Sequence, residues 1–379
     1  MKIFVLTDIP SPYQTEIFNE IASASGDLHV GYLRSEDPFR HWTEVTINHE
    51  STTLNGGSGK LAHLAKMVSD ADFAVFNYYR HPHAEKLIYK RANEQGPWCF
   101  WGERPGFRKP EWVGRVLRHW KLRPLRLSTA PIWGIGKFAV DQYRREFGSG
   151  REYLNLPYFS NLDRFRVDRS ITNGSKHERV FLFSGALTRR KGVDMLARAF
   201  EQIARDHRHV RLKILGDGPL RNELETILAP VADRVEFLGF KGWSELPQQY
   251  ATADVLCVPS RYDGWGLVVP EGLASGLPVI ATDQMGAALE FIERGRNGWL
   301  IQANNQSALL EALREATTIS DEDLWSLSSN ACESIRDHSL RDGARRFLSY
   351  ANEAVANCGV GAMPSAWRRR HLFADSVWR

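Results

Sequence analysis

The chain contains 379 residues, of which 43% are hydrophobic and 25% are charged. This composition excludes a disordered or collagen-like protein, and at ~100–200 residues per domain the length predicts two or three domains. The net charge of +4 is too small to indicate nucleic-acid binding, although it fits local anion sites. The four cysteines form no Cys-x-x-Cys pair, so we expect reduced thiols in a cytosolic protein. We expect neither a signal peptide nor a membrane-spanning segment, because the apolar runs are too short.

Short apolar runs without polar alternation recur along the chain and predict parallel strands that are buried on both faces. They cover residues 2–6, 29–33, 73–76, 98–101, 131–134, 180–183, 211–215, 235–238, 255–259, 278–281 and 298–301. Amphipathic segments such as residues 193–205 lie between them and predict helices. This alternation occurs twice, so we expect two doubly wound α/β domains that face a central cleft, joined by a polar linker at residues 161–177.

Loops that follow the strands of the first half are expected to line that cleft, because ligands of open parallel sheets bind outside the carboxyl ends of the strands. The three loops are residues 7–13, 77–83 and 101–106.

A basic segment of the first half, residues 104–126, holds eight lysines and arginines against one acid, Glu111. Apolar residues interleave with them at near-helical spacing: Trp112, Val113, Val116, Leu117 and Trp120. This pattern is typical of a helix that lies on an anionic membrane surface, although an ordinary amphipathic surface helix has the same periodicity. Of the two interpretations, we favour membrane contact.

Two loops of the second half combine glycine with charge at the end of a predicted strand. In residues 184–192, Gly185 permits a tight turn, and Lys191 lies at a helix start, where free amides favour an anion such as a diphosphate. In residues 215–220, Asp217 is a candidate cap of the following helix, beside Gly218. A solvated basic turn and a simple strand–helix turn are the alternative interpretations.

The third loop of the second half, within residues 259–282, is the most informative. Asp263 and Glu271 are separated by seven residues, and Pro270 marks the first turn of a helix. Carboxylates so placed can accept hydrogen bonds from sugar hydroxyls, while Gly264 and Gly266 allow a ligand to approach the backbone. Alternatively, Asp263 is a turn residue and Glu271 a favourably placed acid in a first helical turn.

Residues 184–282 resemble the retaining glycosyltransferases of the GT-B fold, of the family-four type that uses nucleotide-sugar donors. The signature of that family is the spaced acid pair, a helix and Gly-x-Pro-Val-Ile, which Asp263, Glu271 and residues 275–282 match. The segments at Lys191 and Asp217 match in order and spacing. The resemblance implies two Rossmann-like domains, residues 1–165 for the acceptor and 175–345 for the donor. It also implies that residues 346–379, with the basic tail 367–373, cross back to the first domain.

The resemblance also implies roles for individual residues. Lys191 would contact the donor diphosphate, Glu271 the ribose hydroxyls, and Asp263 the donor sugar and phosphates. The implied donor-binding set is Gly185, Arg190, Lys191, Asp217, Gly218, Phe240, Asp263, Gly264, Trp265, Gly266, Leu267 and Glu271, in which residues 264–267 act through their backbone and Phe240 lies near the base. The implied catalytic set is Glu103, Lys191 and Asp263.

Three positions depart from the family pattern. Ala186 stands where relatives usually have an arginine that binds the diphosphate, and Arg189 or Arg190 is the candidate substitute. Asp263 replaces the usual glutamate. Glu103 stands where many relatives have a histidine, so it is a candidate for acceptor activation or donor-sugar contact, unless it only forms an ion pair with Arg104.

The implied activity is retaining, metal-independent transfer of a sugar from a UDP- or GDP-linked donor. The acceptor would be a glycan, a lipid-linked sugar or a small molecule, in cell-envelope polysaccharide or glycoconjugate synthesis. No cofactor is expected besides the donor as co-substrate, and the Asp-x-Asp sequences at 70–72 and 321–323 are interpreted as solvated acids. The expected location is the cytoplasm, at the inner face of the membrane. Two alternatives stay open: a non-catalytic nucleotide-sugar binding protein and a nucleotide-sugar epimerase of the same fold.

Overall fold

The computed structural model describes residues 1–36, 46–54, 58–105, 111–167 and 178–357. Contacts divide the chain into two units, one of Met1–Ser160 with the segment that begins at Ser339, and the other of Asn161–His338. Part of the predicted linker, residues 168–177, and the basic tail 367–373 lie outside the described residues.

The first unit contains a parallel sheet in the order β3-β2-β1-β4-β5-β6-β7. Its strands are β1 (Ile3–Thr7), β2 (Leu28–Tyr32), β3 (Glu50–Thr53), β4 (Phe73–Phe76), β5 (Trp98–Gly102), β6 (Ile132–Gly134) and β7 (Tyr153–Asn155). Its first six helices are α1 (Pro12–Ser25), α2 (Ser58–Asp70), α3 (Pro82–Glu94), α4 (Glu111–Lys121), α5 (Arg123–Leu127) and α6 (Lys137–Phe147). β1 lies at the centre, where Ile3 is in register with Leu28 of β2 and Phe73 of β4.

The second unit contains a parallel sheet in the order β10-β9-β8-β11-β12-β13. Its strands are β8 (Arg179–Ser184), β9 (Val210–Leu215), β10 (Val235–Gly239), β11 (Val255–Val258), β12 (Val279–Thr282) and β13 (Gly298–Ile301). Its helices are α7 (Val193–Asp206), α8 (Arg221–Leu228), α9 (Leu246–Ala251), α10 (Val268–Ala274), α11 (Gly286–Phe291), α12 (Gln306–Thr318) and α13 (Asp321–Ser334).

Both sheets have the strand order of a Rossmann fold, in which the order reverses beside the first strand. The predicted pair of doubly wound α/β domains is therefore confirmed. The central strands are buried along their whole length because apolar residues occupy both faces, as in β1, β4 and β8. Each switch point directs ligands to the carboxyl ends of the strands of its own unit.

The last described helix, α14 (Leu340–Ala356), returns to the first unit and packs on α1. A capping box starts it, in which the Ser339 side chain and Asp342 satisfy each other's backbone amides. Gly343 makes the close approach feasible, because a Cβ at this position would meet the ring of Phe159 and the side chain of Ile17. The contact joins α14 to the first unit.

Candidate functional site

The loops at the carboxyl ends of β8, β9 and β10 are hydrogen-bonded to one another in the second unit. The Gly185 amide donates to the Leu215 carbonyl at 2.9 Å, and the Gly216 amide donates to the Gly239 carbonyl at 2.8 Å. The two loops that the sequence singled out after β8 and β9 therefore form one continuous edge. Glycine is required for this close packing, because a Cβ at Gly216 or Gly218 would collide with the carbonyl of Gly185 or Leu187.

Lys191 is brought to this edge by a tight turn between β8 and α7. Residues Arg189–Lys191 form one 3₁₀ turn, and Gly192 follows with a φ of 70° before α7 begins at Val193. A side chain at Gly192 would be strained in this left-handed conformation, and its Cβ would collide with the Pro259 carbonyl. The turn therefore presses against the chain that leaves β11.

The ammonium group of Lys191 donates a hydrogen bond to Oδ2 of Asp263. Both side chains are largely buried, with 17% and 13% of their surfaces exposed. The backbone amide of Asp263 donates to the Gln284 carbonyl at 3.0 Å, which holds this loop beside the end of β12. Lys191 and the first acid of the pair, 72 residues apart in the chain, thus share one site.

Arg190 adds a second cation at the same carboxylate. Its Nη1 lies 3.7 Å from Oδ2 of Asp263 and donates to the Tyr262 carbonyl at 3.0 Å. About half of this side chain is exposed. Two cations facing one carboxylate give this edge a local positive excess, which favours an anionic ligand.

Arg189 contacts other acids than Asp263. This distinguishes it from Arg190, the other candidate to replace the arginine that is absent at Ala186. Arg189 donates to Asp194 at 3.0 Å and to both carboxylate oxygens of Glu223 at 3.0 and 2.9 Å. Arg261 holds Asp194 from the other side at 2.6 and 2.9 Å. Burial of Asp194 acts to raise its pKa, yet the hydrogen bonds and charge of Arg261 and the bond from Arg189 lower that pKa below its ordinary value. These four residues form an ionic network that fixes the turn.

Glu271, the second acid of the pair, lies in the first turn of α10 and is buried. The Tyr250 hydroxyl donates a hydrogen bond to its Oε2 at 3.1 Å. Burial, and then the charge of Glu271, raise the pKa of Tyr250 well above its ordinary value, so the hydroxyl keeps its proton. This hydrogen bond orients the carboxylate, and a carboxylate is a group that accepts hydrogen bonds from hydroxyl groups.

The loop between the two acids contributes backbone rather than side chains. The ring of Trp265 is buried and packs edge-on against Phe291, with centroids 5.8 Å apart, so it belongs to the core. Gly264 is buried, while Gly266 and Leu267 are partly exposed. The Trp265 ring is thus not available to a ligand, and the donor contact that the resemblance implies for the backbone of residues 264–267 stays a prediction.

Phe240 and Asp217 occupy the two loops beside the cationic edge. Phe240 follows β10 and is 70% exposed, an unusual position for a large apolar ring. The sequence predicts that Asp217 caps the following helix. This prediction is wrong, because α8 begins four residues later, at Arg221. Its carboxylate instead accepts the Gly218 amide at 2.7 Å, which shapes the turn.

In the first unit, Glu103 directly follows β5 and its side chain is exposed. Its backbone carbonyl accepts a hydrogen bond from the Tyr143 hydroxyl at 2.7 Å. Nearby strand ends carry a polar network in which Gln14 donates to Asn77 at 2.7 Å and Asn77 donates to the Trp101 carbonyl at 2.9 Å. The carboxyl edge of this sheet therefore also carries polar side chains.

Sequence reasoning missed Tyr250, Arg261 and the network of Gln14 and Asn77. Tyr250 stands 21 residues before Glu271, and no spacing rule links an internal helical tyrosine to a later acid. For Arg261 the available signal was its partner Asp194, an acid in the first turn of α7 that follows Lys191 closely in the chain.

Within the described parts of the chain, no group of three or more histidine, cysteine, aspartate or glutamate side chains is arranged to hold a metal ion. In the Asp-x-Asp sequences, Asp72 accepts the Lys2 backbone amide and Asp321 pairs with Arg179. Over the same described residues, no helix has the length and apolar character needed to cross a membrane.

Solved structures of low sequence identity share this fold. Anabaena Alr3699/HepE, in complex with UDP and glucose, matches with a TM-score of 0.70 and 18% identity over 93% of this chain and 100% of that chain. Sucrose-phosphate synthase from Thermosynechococcus elongatus matches with a TM-score of 0.71 and 18% identity over 94% and 100%. The chain has the GT-B fold, an α/β architecture of two Rossmann-like domains.

A family model matches the second unit. It is the model of the family "Glycosyl transferases group 1", and it matches residues 178–318. The resemblance to GT-B glycosyltransferases is thereby confirmed.

Curated relatives match over part of their length. An uncharacterized glycosyltransferase of Methanocaldococcus jannaschii is 37% identical over 133 residues, 34% of this chain and 34% of that protein. A GDP-mannose-dependent alpha-(1-6)-phosphatidylinositol monomannoside mannosyltransferase of Mycobacterium tuberculosis is 29% identical over 211 residues, 51% of this chain and 54% of that protein. The matched part thus spans about a third to a half of these relatives.

Proposed function

We propose that the protein transfers a glycosyl group from a nucleotide-sugar donor to an acceptor. The observation that carries the proposal is the meeting of Lys191 and Arg190 at Asp263, within the segment that the model of the glycosyl transferases group 1 family matches. Glu271 lies at the start of the helix that follows the same loop. This set of groups fits a diphosphate beside a sugar.

The diphosphate would replace Asp263 as the partner of Lys191 and Arg190. A compact ammonium and a guanidinium that donates several hydrogen bonds are the two cations that proteins use for phosphates. The start of α7 adds the positive end of the helix dipole. In this proposal Arg190 takes the place of the arginine that Ala186 lacks, since Arg189 is held by Asp194 and Glu223.

The nucleoside would be held by Glu271 and Phe240. An oriented carboxylate can accept hydrogen bonds from both ribose hydroxyls, and the exposed ring of Phe240 offers a face for the base. We propose UDP or GDP as the nucleotide. Support comes from Anabaena Alr3699/HepE, whose structures contain UDP or UDP-glucose, and from the GDP-mannose-dependent mannosyltransferase of Mycobacterium tuberculosis.

The proposed reaction is retaining and independent of metal. The bond between the anomeric carbon and the phosphate oxygen breaks, and negative charge grows on the leaving diphosphate. Lys191, Arg190 and the amides of the edge would stabilise that charge, an effect typically worth ~2.7–4 kcal/mol for each donor group. Once the diphosphate has replaced Asp263 as the partner of Lys191 and Arg190, the Asp263 carboxylate would orient the donor sugar. Glu103 stays a candidate for acceptor activation.

The acceptor in this proposal is a glycan, a lipid-linked sugar or a small molecule of cell-envelope or glycoconjugate synthesis. We also propose that the reaction takes place in the cytoplasm.

The test is product analysis with the full chain and a panel of UDP- and GDP-sugars, in EDTA and in magnesium. The proposal expects sugar release or transfer that persists in EDTA, with the anomeric configuration of the product retained by NMR. Lys66→Ala, an exposed lysine of the first unit, is the control for Lys191→Ala. Binding without turnover of any donor would favour the non-catalytic alternative, and an epimerised nucleotide sugar without acceptor would favour the epimerase.

A further inference from the structure

Arg261 connects two loops at the carboxyl edge of the second sheet. It follows β11 and comes two residues before Asp263. Its guanidinium forms a bidentate ion pair with Asp194 in the first turn of α7, with Nη1–Oδ1 and Nη2–Oδ2 distances of 2.6 and 2.9 Å. Asp194 is only 4% exposed, and α7 is anchored in the core by Val193 and Leu196. The pair therefore fastens the loop of Asp263 to a well-packed helix.

The same arginine holds the backbone of the turn that carries the two cations. Nη1 of Arg261 donates to the Arg189 carbonyl, and the backbone amide of Arg261 donates to the Arg190 carbonyl at 2.8 Å. Both carbonyls belong to the 3₁₀ turn Arg189–Lys191. Because Nη1 also donates to Asp194, both of its protons are used within the protein. We therefore expect Arg261 to act on a ligand through the residues that it holds.

A second link between the two loops depends on the ligand. Lys191 donates to the Asp263 carboxylate, and Arg190 lies 3.7 Å from it. In the proposed function the donor diphosphate replaces Asp263 as the partner of these cations, which breaks this link. The contacts of Arg261 with Asp194 and with the turn do not involve the Asp263 carboxylate, so they persist when a diphosphate binds.

We propose that Arg261 is a positioning residue that holds Arg190 and Lys191 in place for the donor diphosphate, an inference that rests on the proposed function. Without Arg261 the two side chains keep their charges, but the turn from which they project loses its attachment to the chain after β11. Binding of a diphosphate would then have to order the turn as well, and this cost lowers the affinity.

Calorimetric titration of the full chain with UDP and GDP tests the proposal. Arg261→Lys keeps the charge and loses the bidentate geometry, so the affinity for the nucleoside diphosphate should fall about fivefold. The matched control is Arg211→Lys at the opposite end of the sheet, because Arg211 also forms a bidentate pair, with Glu178, and donates to the Asp233 carbonyl. This control should bind as the wild type.

A double-variant cycle separates positioning from a general loss of structure. In the Arg190→Ala background, Arg261→Lys should lower the affinity by no more than about twofold, because one of the two cations that it positions is already absent. A loss of folded protein would instead lower the number of binding sites and leave the dissociation constant unchanged. Asp194→Asn breaks the same pair from the other side and should also weaken binding. It carries the test if thermal unfolding shows that Arg261→Lys does not fold.

Two outcomes would overturn the positioning role alone: wild-type affinity in both Arg261→Lys and Asp194→Asn, or an undiminished effect of Arg261→Lys in the Arg190→Ala background. In either case the wild type would still bind a nucleotide, and Lys191→Ala would still weaken that binding. A wild type that binds neither UDP nor GDP would overturn the proposed donor site together with the role of Arg261.

Discussion

The Lys191 ammonium group is hydrogen-bonded to the Asp263 carboxylate, and both side chains are mostly shielded from water. Shielding strengthens their attraction compared with that of a surface pair. A diphosphate that binds Lys191 must therefore compete with Asp263. The same contact brings the two halves of the proposed donor site together.

Asp263→Asn is predicted to separate nucleotide binding from catalysis. Removing the carboxylate frees Lys191 and takes a negative charge away from the diphosphate, so affinity for UDP or GDP should rise several-fold. Transfer should nevertheless fall by about tenfold or more, because the sugar loses its charged partner. Calorimetry and product analysis measure the two effects, with the exposed Asp233→Asn as control. Weaker nucleotide binding by Asp263→Asn would argue against this competition.

Glu271→Gln is predicted to remove recognition of the ribose. The wild type should bind a 2′-deoxynucleoside diphosphate about tenfold more weakly than the ribonucleotide, since a charged hydrogen bond is worth ~1.5–3 kcal/mol. Glu271→Gln should bind both forms about equally weakly. If it still discriminates between them, Glu271 does not hold the ribose.

Tyr250→Phe is predicted to weaken nucleotide binding through Glu271. Loss of one hydrogen bond should lower affinity by about threefold to tenfold. In the Glu271→Gln background the same change should have a smaller effect, because the two residues act as a pair. Tyr153→Phe, which removes a hydroxyl of the first unit, is the control. Additive effects in the double variant would contradict the coupling.

Arg190 and Arg189 are predicted to differ although they are adjacent in the chain. Arg190→Ala should lower affinity for the nucleoside diphosphate about tenfold, because Arg190 faces Asp263 and the proposed phosphate position. Arg189→Ala should leave the affinity for the nucleoside diphosphate within about twofold of the wild type, since Arg189 forms ion pairs with Asp194 and Glu223. The reverse order of effects in titration calorimetry would assign the second phosphate cation to Arg189.

The strands were predictable because buried parallel strands have continuous apolar sequences. The two that were missed, β3 and β7, are the edge strands of the first sheet and consist of Glu50–Thr53 and Tyr153–Asn155. Neither contains a residue buried as deeply as those of the central strands, so each lacks the apolar run that marks the others. Their pairing is set by the neighbouring strand, which the local sequence does not reveal.

The site was predictable where residues lie close in sequence and unpredictable where distant segments meet. The spacing of Asp263 and Glu271 marked them as candidates, and the resemblance implied their roles, which stay predictions. In contrast, the choice between Arg189 and Arg190 depends on Glu223 and Tyr262, which come from other loops. The helical periodicity of α4 was visible in the sequence, but the burial of its Arg118 depends on Glu146 in α6.

The first unit is predicted to lose stability in mild acid through His49. Burial lowers the pKa of His49 to about 4, and its ring is hydrogen-bonded to Tyr32 at 2.8 Å and to Asn19 at 2.7 Å. As the pH falls, His49 of the unfolded chain binds a proton near pH 6.5, whereas His49 of the folded chain binds it only near pH 4. Stability is therefore complete above pH 6.5 and is lost, by on the order of 3 kcal/mol, as the pH falls to about 4.

Urea unfolding at several pH values checks this prediction. His49→Gln should be less stable than the wild type at pH 7.5 and should show a shallower decline toward pH 4. The exposed His209→Gln is the control. An unchanged pH slope in His49→Gln would exclude His49 as the source.

The most direct test of the donor site is calorimetric titration of the full chain with UDP and GDP in EDTA. One of the two nucleotides should bind without a divalent ion, Lys191→Ala should weaken that binding at least tenfold, and Lys66→Ala should leave it unchanged. Binding that appears only after magnesium is restored, or that Lys191→Ala leaves intact, would contradict a metal-independent diphosphate site at Lys191.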